Sequence, residues 1–193
     1  MEGNVAVIHT ARDWPGFQQI HFESLRPGLC LILGCMNMAD ASISFDSPIG
    51  AITVEATGEK ISALFIGQAS PDFGSSKVLR EAKKQLSAYF AGKLTKFDLP
   101  VQLHGTEFQM AVYKQIAKIG FGKTLSYADI AAKLGKPLAS RAVGGAVGSN
   151  PVPIIIGCHR VLGASGKITG YSGGDGLPTK RILLKLEGIE SKE

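Results

Sequence analysis

The sequence predicts an α+β fold: a small N-terminal α/β module, then a mostly helical C-terminal domain with a helix-turn-helix and a reactive cysteine. Three observations predict it. Apolar and polar residues alternate between Ile43 and Ile66, with turn residues at the breaks. From Val78 onward apolar residues recur at helical spacing instead. Two short helical stretches joined by Gly135-Lys136-Pro137 then precede an apolar run that ends in Gly157-Cys158-His159-Arg160.

Residues 1–37 hold the only tryptophan, Trp14, and no sustained period. They read as an extension, with Met38 as the expected natural start. The alternative is a metal site using Cys30, Cys35 and His9 or His21, although Cys-x4-Cys is marginal zinc spacing. The first module, 38–103, begins with a meander: Ile43 and Phe45, then Ile52 and Val54, then Ile61 to Ile66. Its turns fall at Pro48-Ile49-Gly50 and Gly58-Glu59. Ser75 or Ser76 is expected to cap a helix running to about Phe90. Val78, Leu79, Ala82, Leu86 and Tyr89 make its buried face, and Gly92 ends it. Nothing in this module suggests chemistry.

The second domain, 104–193, opens with a helix capped by Thr106. It places Phe108, Ala111, Val112, Gln115, Ile116 and Ile119 near its buried face and stops at Gly120 and Gly122. Helices over Tyr127–Leu134 and about Ala139–Val147 form the helix-turn-helix. The second of these is nearly bare, with Ala142, Gly144, Gly145, Ala146 and Gly148. Glycine in a helix costs about 0.5–1 kcal/mol against alanine. Either another helix packs closely there, or a ligand backbone approaches while the one long cation, Arg141, projects.

A formal charge of +5 suits a polyanionic partner without requiring one. Three cysteines, an odd count at low density, argue against a disulfide framework and for a reduced, intracellular setting, cytoplasmic or nuclear. No apolar run reaches the roughly 20 residues that span a bilayer, so no membrane partner is expected.

Val152 to Ile156 reads as a buried strand-like segment feeding Cys158-His159-Arg160. Cysteine attacks as thiolate, and an unperturbed pKa of about 8.5 leaves only a minority ionised at neutral pH. A neighbouring histidine and arginine can supply the base and the positive field. Adjacent residues in an extended chain point opposite ways, so adjacency alone does not imply a direct Cys158–His159 bond, and a water relay is an alternative. Glu187 is the candidate acceptor that orients His159. The competing reading of Cys158 is an inert buried thiol.

These residues resemble the O6-alkylguanine-DNA alkyltransferases, whose acceptor lies in Pro-Cys-His-Arg-Val after an apolar run. The resemblance also takes in Ser126-Tyr127, Ile130-Ala131, Ser140-Arg141-Ala142-Val143-Gly144 and Asn150-Pro151. Downstream it covers Gly170-Tyr171-Ser172-Gly173-Gly174, Lys180, Leu183-Leu184 and Glu187-Gly188. It implies that Cys158 accepts an alkyl group from O6-alkylguanine once and irreversibly, after the base has flipped out of the duplex. His159 would be the base, acting through a water, Glu187 its support, and Asn150 the brace of the turn. Arg141 would fill the space left in the base stack, and Tyr127 would crowd the 3′ phosphate. Tyr171 and Ser172 would sit near O6, and the helix of Ala142, Gly144 and Gly145 would lie close to the groove. The implied partner is double-stranded DNA carrying O6-alkylguanine, met by a monomer that needs no cofactor and no metal.

Two positions depart from the family pattern. Gly157 stands where proline is usual, which frees the turn and predicts reduced rather than absent activity. Tyr113 stands where tryptophan is usual, a packing difference provided its hydroxyl finds a partner. Three rival readings are a non-catalytic alkyltransferase-like binder, whose relatives lack the acceptor cysteine, a sequence-specific helix-turn-helix regulator, and a cysteine protease, for which no oxyanion-hole logic is visible.

Overall fold

A computed structural model describes residues 39–190, and three strands come first among the described residues. The metal-site reading of Cys30, Cys35, His9 and His21, and of Met38 as the start, lies outside the described residues. β1 (Ala41–Phe45), β2 (Ile52–Thr57) and β3 (Lys60–Ile66) pair antiparallel in that order. The register sets Ile43 against Val54 and Val54 against Leu64, with Phe45, Ile52 and Ile66 aligned in the neighbouring row. These six side chains therefore share one face, as the period of two requires.

α1 (Lys77–Phe90) packs across all three strands and buries Val78, Leu79, Ala82, Leu86 and Tyr89. Its start differs from expectation. Ser76 holds the N-cap position without a side-chain cap bond, while Ser75 Oγ accepts from Arg80. The helix is held by its apolar face rather than by a capping hydroxyl. Beyond Gly92 the chain returns alongside β3, where Ile61 N donates to Pro100 O and Gln102 N to Ile61 O.

α2 (Glu107–Ile116) and α3 (Tyr127–Lys133) both begin with a capping box, Thr106 with Gln109 and Ser126 with Asp129. α4 (Ser140–Gly148) packs against both, completing the helix-turn-helix. α5 (Leu177–Leu186) buries Leu183 and Leu184. Tyr113, in α2, is fully enclosed and its hydroxyl donates to Ser149 O at 2.8 Å.

The segment 152–156 is not a strand. Ile156 N donates to Val152 O at 3.0 Å and Ile155 N to Pro153 O at 2.9 Å, with Ile154 at φ +72°. That is a tight turn whose centre is a β-branched residue in the left-handed region, a conformation costing about 1–3 kcal/mol. Pro151 and Pro153 offer no N–H to a ladder. The apolar content reflects burial, since Val152 and Ile154 are wholly inaccessible. Cys158–Arg160 is a single 3-10 turn, so its side chains splay around an axis rather than alternating across an extended chain. A two-residue parallel pairing, β4 (Leu125–Ser126) with β5 (Val161–Leu162), then joins the start of α3 to the residues after that turn.

Candidate active site

Cys158 opens the 3-10 turn, its N–H bonded to Ile156 O at 2.7 Å. Asn150 Nδ2 donates to the same carbonyl at 2.9 Å, and Asn150 Oδ1 accepts from Val152 N at 3.2 Å. One amide thus ties both ends of the strained turn. Leu64 N donates to Pro151 O at 2.9 Å, which fastens the turn to β3.

The thiol lies against a cavity of about 220 Å³ lined by Asn150, Pro153, Tyr171 and Ser172, and on the other side by Leu64, Ile66 and Gln68. Burial pushes the Cys158 thiol up, while the Asn150 side chain and the charge of Lys180 act to lower it. A proton acceptor is therefore needed, and His159 is the candidate.

His159 and Glu187 meet through Nε2 and Oε1 at 2.8 Å. Burial alone would raise the Glu187 carboxyl, but hydrogen bonds and charge from His159 and Arg160 bring it down to about 2. An ionised carboxylate only accepts, so Nε2 carries the hydrogen and Nδ1 is left as the basic nitrogen. Nδ1 has no hydrogen-bond partner among the described residues. Burial holds the imidazole below the usual histidine range despite Glu187, so the ring stays neutral at pH 7.

Arg160 corrects one expectation. Its Nε and Nη2 bind Glu187 and its Nη1 donates to Ile119 O at 2.6 Å. Its charge is neutralised by the carboxylate rather than offered to the thiol. The buried cation near Cys158 is Lys180, whose Nζ donates to Val161 O at 2.6 Å, Thr169 O at 3.1 Å and Gly170 O at 3.3 Å. Burial brings its amine down to about 8, against the pull of the thiolate.

Tyr171 presents a buried hydroxyl with no hydrogen-bond partner among the described residues. Burial, with the Cys158 charge second, holds that phenol far above its ordinary range, so it stays a donor. Ser172 Oγ donates to Gly148 O at 2.8 Å, joining this loop to the end of α4. A second cavity of about 390 Å³ adjoins the first, sharing Val147, Tyr171 and Ser172 with it and adding Tyr127, Gly144 and Thr169. Tyr127 donates to Thr169 O at 3.1 Å.

Arg141 and Ala142 are exposed on the first turn of α4. A Cβ on Gly144 would meet the Tyr127 ring at 3.9 Å, whereas one on Gly145 or Gly148 would meet nothing within 4 Å. Packing bears only on the first of these, and the other two leave a bare outward surface. The structure therefore joins buried His159 to buried Glu187, ties half-buried Asn150 to the turn that carries buried Cys158, and rings the cavities with Tyr171, Ser172 and Tyr127. Arg141, Ala142 and Gly145 sit on the outer face of α4.

Sequence reasoning missed Tyr89, whose hydroxyl reaches Glu187, and the β3 residues that wall the thiol cavity. The one available signal was the hydroxyl of Tyr89 on an otherwise apolar stripe, which must find a partner when buried. Among the described residues no three His, Cys, Asp or Glu converge as a metal site, and no helix is long and apolar enough to cross a membrane.

Comparison with known proteins matches two family models. Residues 42–103 match the ribonuclease-like domain of 6-O-methylguanine DNA methyltransferase, and residues 107–189 match its DNA binding domain. A methylated-DNA–protein-cysteine methyltransferase from Mycobacterium tuberculosis is 46% identical over 153 residues, covering 75% of this chain and 90% of that protein. One from Methanosarcina acetivorans is 46% identical over 151 residues, covering 75% and 96%. The crystal structure of M. tuberculosis OGT in complex with DNA superposes with a TM-score of 0.68 at 47% identity, covering 76% of this chain and 91% of that one.

Proposed function

Because the chain belongs to the 6-O-methylguanine DNA methyltransferase family, we propose that Cys158 is the residue that takes the alkyl group, prepared by His159, Glu187 and Asn150. The activity is DNA repair by direct transfer of an alkyl group from O6-alkylguanine to a cysteine of the protein.

The observation that carries the assignment is a buried thiol at a cavity wall, followed directly in the same 3-10 turn by a neutral imidazole with one nitrogen fixed on a carboxylate. Nδ1 of His159 takes the Sγ proton, directly or through one water, and Glu187 stabilises the imidazolium. Sγ attacks the alkyl carbon on O6. The S–C bond forms, the C–O bond breaks, and its electron pair stays on the purine, which then takes up a proton. Tyr171, kept protonated by burial, is the donor placed to meet that charge, with Ser172 beside it. A thioether does not leave, so each molecule reacts once.

The alkyl carbon is hidden in the duplex, and extruding its base costs a few kcal/mol. Arg141 on the outer face of α4 would enter the stack and offset part of that. Ala142, Gly144 and Gly145 remove bulk that would hold the helix away from the groove, and Tyr127 would lie at the 3′ phosphate. The same reading takes 38–103 and 104–193 as the two domains. It has the protein act as a monomer in the cytoplasm or nucleus, where thiols stay reduced. Cys158→Ala tests it: labelled methyl should no longer pass from O6-methylguanine DNA to protein, while DNA binding persists. Transfer undiminished by that change refutes the assignment.

A further inference from the structure

Tyr89 lies in the last turn of α1, in the module that reads as chemically empty, yet its hydroxyl donates to Glu187 Oε1 at 2.8 Å. We propose that Tyr89 is a positioning residue of the transfer reaction: it shares Oε1 with His159 and so sets how strongly Glu187 holds the imidazole. This rests on the reading of Cys158, His159 and Glu187 given above.

The oxygen is crowded. Oε1 accepts from Tyr89 at 2.8 Å, His159 Nε2 at 2.8 Å and Arg160 Nη2 at 2.9 Å, while Oε2 takes Arg160 Nε at 2.9 Å and Gly122 N at 3.2 Å. Three close donors on one carboxylate oxygen exceed its two lone pairs, so each weakens the others. Tyr89 cannot turn away. It is fully buried, and its ring packs on Phe90, Phe97 and Phe121 at centroid distances of 5.3, 5.3 and 6.2 Å. Burial first and Glu187 second hold its phenol far above the ordinary range, so it remains a donor throughout the working pH range.

The consequence lies at His159. When Cys158 yields its proton, an imidazolium forms beside Glu187, and a carboxylate with fewer donors stabilises it more. The other charged or titratable groups facing this cluster are Arg160, Lys180, Cys158 and Tyr171, and all four side chains remain when the Tyr89 hydroxyl is removed. Tyr89→Phe keeps the ring and deletes only that donor.

The test is the rate of methyl transfer from O6-methylguanine duplex to the protein against pH. In Tyr89→Phe the acid limb is expected to move to higher pH by about half a unit or more, because the better-stabilised imidazolium loses its proton later, with DNA affinity unchanged. Replacement of Tyr89 by a fluorotyrosine, a stronger donor, is expected to move it to lower pH, and serves if Tyr89→Phe does not fold. A limb unmoved in either protein, with only the melting temperature changed, makes Tyr89 a structural residue and overturns the inference. A wild-type protein that transfers no methyl at all overturns the function reading instead.

Discussion

Glu187 Oε1 and His159 Nε2 stand 2.8 Å apart with neither side chain exposed to solvent. The contact fixes which nitrogen of the imidazole is basic. It also keeps Arg160 inside the fold, because the same carboxylate is that guanidinium's counter-charge.

Glu187→Gln therefore acts twice. It strands the buried Arg160 charge, a change of about 3–5 kcal/mol in stability. It also frees the imidazole to take the wrong tautomer, for which a loss of ~100-fold or more in single-turnover transfer is expected. His159→Gln leaves the Arg160 pair in place and should lose comparable activity at a smaller cost in stability. Urea unfolding beside quenched-flow transfer separates the two.

Lys180 predicts a pH dependence of stability. Its amine falls from an ordinary value of about 10.5 to about 8 in the folded chain. Between those values the unfolded chain holds a proton that the folded chain does not, so this residue makes stability rise from about pH 8 to 10.5. Below that window the cost of burying the charged amine is fully present. Lys180→Met lacks this component. The unfolding free energy of wild type minus variant should therefore climb across that window, and a flat difference contradicts it.

Arg141 is exposed, so Arg141→Ala should leave stability within about 0.5 kcal/mol. It should slow transfer from duplex DNA by roughly 10-fold or more while sparing transfer from the free alkylated base, which needs no flipping. Single-turnover rates on the two substrates give the comparison.

Gly157 poses opposed effects. Its φ of −67° suits proline. However, a Cβ there would stand 2.9 Å from Arg160 Cδ and Nη1, and that guanidinium is pinned by Glu187 and Ile119. Gly157→Ala adds the contact alone and should destabilise by about 1–3 kcal/mol. Gly157→Pro adds the same contact and restricts the unfolded chain, so it should lie about 0.4–1 kcal/mol above the alanine form. Its stiffer turn should transfer methyl faster than wild type, and a glycine form equal or faster contradicts that.

The strands, α1 and the helix-turn-helix were legible because one buried face imposes a period on each, as Ile52 and Val54 or Val78 and Leu79 show. The turn at 152–156 was not, because Val152, Ile154 and Ile156 signal burial without saying which backbone is buried. Cys158, His159 and Glu187 were legible as reactive types. The role of Arg160 was not, since only the fold reveals that Ile119 O and Glu187 claim its nitrogens. Tyr89 was hidden for a related reason: its contact spans 98 positions, and its ring fits the apolar stripe it sits in.

The most direct test of the account is the mass of the protein before and after one equivalent of O6-methylguanine duplex, followed by peptide mapping. The account predicts a gain of one methyl in place of one hydrogen, confined to the peptide carrying Cys158, with the DNA restored to guanine. An unchanged mass with the DNA still bound, or a methyl on any other residue, contradicts it.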